Sequence, residues 1–74
     1  MATIDMPRLG AILDRESYEW LAAAHPDILA AIEAEVAAGR TAEQIRLFVV
    51  RHTGRAEIAQ RCEQAARWVE RENS

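Results

Sequence analysis

Cys62 is the only cysteine of this 74-residue chain, and His25 and His52 are its only histidines. A thiol attacks as its thiolate, which needs a neighbouring base or positive charge. The spacing instead puts Cys62 in an apolar helical seam with Ile58, Ala65 and Val69, where desolvation raises the thiol pKa and leaves it inert. Ser17 has no histidine within a helical turn. His25 precedes Pro26 and reads as a helix-junction residue. His52 shares a helix face with Ile45 and reads as half-buried, satisfied by a carbonyl or carboxylate. Zinc needs several ligands at defined spacing, and neither histidine has such a companion. Glu33, Glu35, Glu57, Glu63 and Glu70 read as solvated helix faces, and the three glycines stand apart, giving no phosphate-binding loop. The expectation is therefore no catalytic residues, no metal, no cofactor and no small-molecule substrate: not an enzyme.

The elements that must position these residues read as helices throughout. Asp14 is placed to cap a first helix over about 15–24, on which Leu13, Trp20 and Ala24 share a face that Leu21 widens. Residues 1–8 read as loosely ordered, and Gly10 weakens any extension through MPRLGAIL. Pro26 stops that helix at His25 and opens a second, 26–38, with Asp27 at its positive end. Ile28, Leu29, Ile32 and Val36 form its stripe, Ala30, Ala34, Ala37 and Ala38 its reverse side, and Gly39 its stop. Thr41 and Gln44 give the T-x-x-Q capping-box signature that starts a third helix, 41–53, and Gly54 ends it. A fourth helix, 55–72, carries the Cys62 seam, with Trp68 about 80° round the wheel from it. The fold expected is a single all-α domain over 1–74, a small bundle of four short helices joined by short loops.

The third helix is apolar on two opposite sides. Ile45, Phe48, Val49 and His52 fall on one, read as the domain's own core, while Leu47 and Val50 fall on the other. A helix of that kind must be covered twice. A chain this short buries only about 60% of the surface its unfolded form exposes, and domains of its size draw on metals, disulfides or oligomerisation for stability. With one cysteine and no zinc spacing, oligomerisation is left. Leu47 and Val50 are thus the expected partner-binding anchors, with Trp68 or Trp20 beside them and Arg46 and Arg51 on the rim.

Composition narrows the setting. All nine basic residues are arginine and fifteen residues are alanine, a bias that fits a GC-rich bacterial or phage genome. A lone cysteine, an amino end without a secretion-signal pattern and no apolar run near about 20 residues point to a soluble cytoplasmic protein. Residues 1–37 hold seven acids against two arginines, a net of −5, and residues 38–74 hold seven arginines against five glutamates, a net of +2. This asymmetry suits head-to-tail or antiparallel self-association, or two different partner surfaces. The expected function is a non-enzymatic protein-protein interaction module, an adaptor, regulator or inhibitor that binds itself or a larger protein.

An alternative comes from the second and third helices. Gly39, Arg40 and Thr41 join them, and residues 39–55 carry Arg40, Arg46, Arg51 and Arg55 against Glu43. With Gly39 at the turn and aliphatic Ile45 six positions later, the pattern resembles the helix-turn-helix superfamily, which implies a DNA-binding regulator built on 26–38 and 41–53. It departs where that family has a small residue four before the glycine, a position held here by Glu35. Leu47 and Val50 also stand where polar side chains should read base edges.

Overall fold

The computed structural model describes residues 6–73, with side chains from Arg8 onward. Four helices follow in order: α1 (Met6–Ala24), α2 (Pro26–Ala37), α3 (Ala42–Thr53) and α4 (Ala56–Glu72), with no strand among the described residues. No described helix is long and apolar enough to cross a membrane. Three of the helices match the sequence expectation closely, because their ends are fixed locally. His25 is the one residue between α1 and α2, and Pro26 occupies the first turn of α2. At the end of α2, Arg40 N–H donates to the Glu35 carbonyl and Gly39 N–H to the Val36 carbonyl, both at 3.0 Å. This Schellman arrangement needs the left-handed φ of +95° that Gly39 supplies. Thr41 Oγ1 accepts from Gln44 N–H at 3.1 Å, and Gln44 Oε1 accepts from Thr41 N–H at 2.9 Å, completing the capping box.

The first helix corrects the expectation. It begins at Met6 rather than at about residue 15, so residues 6–8 are helical; the remainder of the expected loose segment, 1–5, lies outside the described residues. Asp14 caps nothing. It sits in the middle of α1, 4% exposed, with Oδ2 3.3 Å from Arg71 Nη2 of α4. A favoured cap residue has been turned inward by a tertiary ion pair, and Gly10 is carried inside the helix. The packed face of α1 is accordingly turned about 70° from the one the hydrophobic pattern indicates. Asp14, Ser17 and Leu21 are buried, while Leu13 and Ala24 are exposed and Trp20 is half-buried.

α4 is the hub. Its buried residues, Ala59, Cys62, Ala65, Ala66 and Val69, are mostly small and let other helices come close. α1 runs antiparallel along one side, as Trp20 meeting Arg61, Ser17 meeting Gln64 and Asp14 meeting Arg71 require. α3 runs antiparallel along the other, through Arg46 to Glu63 and Ala42 to Glu70. Leu21 of α1, Leu29 and Ile32 of α2, and Ala42 and Ile45 of α3 close the core around Cys62, Ala65 and Ala66. α1 and α3 do not pack on each other, and α2 leans mainly on α4.

Candidate functional site

α2 and α3 barely meet, although a four-residue turn joins them. Between them lies a cleft of about 620 Å³, floored by Ile28, Ile32, Ile45 and Val49 and bordered by Glu35, Arg40 and Gln44. Its wall on the α3 side is Phe48, 62% exposed. This reverses the expected assignment of Phe48 to the core. On the wheel Phe48 lies about 60° from Ile45, close enough to be covered had α2 folded against it. α3 is instead held on α4, where Ala42 meets Glu70 and Arg46 meets Glu63, and α2 stands off. The Phe48 ring stacks on His52 with centroids 4.1 Å apart, and the His52 Nδ1 lies 3.0 Å from the Phe48 carbonyl oxygen. His52 thus meets the carbonyl expected of it but is exposed, not half-buried.

The five expected partner-binding residues do not form one patch. Leu47 is 46% exposed and Arg51 is exposed beside it on the outer side of α3. Val50 is half-buried. The alanine side of α2 does not cover them, since Ala30, Ala34 and Ala37 are themselves exposed. Arg46 points back into the molecule: its Nε donates to Glu63 Oε2 at 3.0 Å, and Glu63 also lies 3.6 Å from Arg67 Nη2. Trp68 is half-buried on α4, in a different element from the rest. Trp20 is held by Arg61, 4.8 Å from its ring centre, and by the edge of His25.

A second exposed apolar group lies on α1 and includes Leu13, expected on the packed face. Leu9, Ile12 and Leu13 stand at i, i+3 and i+4 on the outer side of α1, and Ile12 is 49% exposed. The signal was present in their spacing, but the expected helix started after them.

The groups with reactive chemistry are occupied structurally. Cys62 is buried, and burial pushes its thiol above the ordinary value. Ser17 donates to Gln64 Oε1 at 2.5 Å inside the α1–α4 contact. Burial raises the Asp14 carboxyl, an effect that Arg71 and Arg67 oppose and Glu63 reinforces. Two of the glutamates read as solvated are not simply so. Glu63 is largely covered between Arg46 and Arg67, and Glu70 Oε1 accepts from the Ala42 N–H at 3.1 Å, satisfying a free donor at the start of α3. Among the described residues no three His, Cys, Asp or Glu side chains converge as metal ligands.

Of the arginines that gave the α2–α3 unit its positive charge, Arg40 Nε donates to Glu35 Oε2 at 2.9 Å and Arg46 pairs with Glu63. Arg51 and Arg55 are left without an acidic partner among the described residues. No protein-family model, no curated protein and no solved structure matches the chain, so the geometry of its surfaces is what bears on its function.

Proposed function

We propose that this chain is a non-enzymatic helical interaction module that self-associates through the α2–α3 cleft and the neighbouring outer face of α3. The observation that carries the proposal is Phe48, the largest apolar side chain of α3, standing 62% exposed at the wall of an apolar cleft with Leu47 exposed beside it. A small helical domain gains from covering such a surface, and aromatic anchors in clefts supply a large share of interface energy. A non-catalytic role is supported by the structural employment of Cys62 and Ser17. A cytoplasmic setting is supported by a free, buried thiol, and a bacterial or phage origin by the all-arginine composition.

A second reading, DNA binding through α2 and α3, is favoured by one observation: Gly39 takes the left-handed conformation at the turn. The neutralisation of Arg40 and Arg46 by Glu35 and Glu63 weakens it, because phosphate contacts would have to compete with those pairs.

Sedimentation velocity over a wide concentration series tests the main reading. The wild type is expected to gain mass with concentration, and Leu47→Glu to remain a helical monomer. A wild type that stays monomeric up to about millimolar concentration, far above the range of specific assembly, overturns it. Binding of duplex DNA at low salt that fades steeply with added salt would favour the second reading instead.

A further inference from the structure

Resting on the self-association reading, we infer what fills the α2–α3 cleft: the outer face of α1 from a second copy of this chain. The two exposed apolar surfaces of the molecule have complementary forms. One is a cleft walled by Phe48; the other is a convex helical stripe, Leu9, Ile12 and Leu13, whose i, i+3, i+4 spacing is that of a helix laid into a groove. Within one chain they cannot meet, since α1 and α3 lie on different sides of α4 and do not pack together.

Charge fixes the partner and the direction. Along α1 the apolar stripe is followed, one turn on, by exposed Glu16 and then Glu19; along α3 Phe48 is followed at similar spacing by exposed Arg51, the last arginine of that helix. Laying α1 of one copy parallel to α3 of another places Ile12 against Phe48 and Glu16 against Arg51, which stands outside the cleft lining, on the outer rim beyond Phe48. Glu19 already pairs with Arg15 at 2.8 Å, so Glu16 carries the electrostatic match; neither it nor Arg51 has an ion-pair partner among the described residues.

Because the two patches differ, variants that damage one each should rescue one another. Sedimentation velocity of the full chain, with circular dichroism to verify folding, is expected to show Ile12→Glu and Phe48→Glu each as helical monomers. Their equimolar mixture should recover a one-to-one complex, formed by the intact α1 of the Phe48→Glu chain and the intact cleft of the Ile12→Glu chain. A milder pair, Glu16→Arg and Arg51→Glu, should each weaken assembly at least several-fold, with the double variant restoring it. Association of Ile12→Glu at wild-type strength, or an equimolar mixture that stays monomeric, overturns the α1 assignment while leaving self-association through α3 standing. A wild-type chain that never associates overturns both.

Discussion

Ile45 and Phe48 are three residues apart on the same helix, and truncating each to alanine should have opposite consequences. Ile45 is 6% exposed at the centre of the core, where removing a large aliphatic group costs about 2–5 kcal/mol. A domain of this size has roughly 3–5 kcal/mol to lose, so Ile45→Ala should leave much of the chain unfolded at 25 °C. Phe48 keeps 62% of its surface in water. Taking about 200 Å² for the side chain, its buried part is about 75 Å², an upper limit of about 2 kcal/mol that the better helix propensity of alanine reduces. The exposed part, about 120 Å², is worth about 3 kcal/mol if a partner covers it, or about a hundredfold in Kd. Urea titration followed by circular dichroism at low concentration measures the first quantity, and sedimentation equilibrium measures the second. Phe48→Ala should stay folded, losing no more than about 2 kcal/mol and less than Ile45→Ala, and associate about a hundredfold more weakly. If Phe48→Ala instead unfolds as readily as Ile45→Ala, the cleft is closed in solution and Phe48 belongs to the core.

Three further outcomes are expected. Gly10→Ala should stabilise the fold by about 0.5–1 kcal/mol, visible as a raised melting temperature, since a Cβ at this helical position meets nothing within 4 Å. Asp14→Asn should be at least as stable as the wild type at pH 7: the folded-state pKa of Asp14 is raised above 3.8, so the native state binds the proton more tightly and the charged form costs stability at neutral pH. The same sign requires the wild type to gain on the variant as pH falls through the folded pKa towards 3.8; thermal melts of the two chains across pH 7 to 3.5 check it, and an Asn variant markedly weaker at pH 7 contradicts it. Cys62, buried and with its thiol pushed up, should react with a thiol reagent at a rate set by unfolding, rising with urea; fast labelling of the native chain would show that the α4 core opens locally.

What was legible in the sequence was what the chain encodes locally. Pro26, the Thr41–Gln44 box, Gly39 and Gly54 act on their own few residues, and the ends of α2 and α3 fall where they place them. The stripes of α2 and α4 were legible too, because each has one apolar side. α1 was misread because its deciding contact is distant: Asp14 looks like a cap until Arg71, on the last turn of α4, is brought beside it. Phe48 was misread because periodicity reports which residues share a face and not how far the next helix stands away. The alternation of Leu47 and Phe48 around α3 was visible, but which of them an open cleft leaves bare depends on α2 resting on α4 rather than on α3.

The polar interior of the α1–α4 contact and the apolar exterior of α1 belong to one arrangement. Were α1 turned by the angle that separates the expected face from the observed one, Leu13 would move towards the core, Asp14 towards water and the fully buried Leu21 to the edge of the packed face. Asp14 to Arg71 and Ser17 to Gln64 hold the other rotation. Pairs of this kind, with one partner buried, add little net stability, yet they penalise any packing that separates them while the buried partner stays inside, since an uncompensated buried charge or hydroxyl is costly. Their effect here is to fix the rotation that keeps Leu9, Ile12 and Leu13 on the surface. The small residues of α4 act in the same sense: Ala59, Ala65 and Ala66 offer little apolar area, and while Leu21 and Ile45 pack into the core, Leu9, Ile12, Leu13, Leu47 and Phe48 are left facing outward. Under the proposed self-association, the side chains left outward by this arrangement, Leu9, Ile12 and Leu13 on α1 and Leu47 and Phe48 on α3, are the ones a second copy would cover.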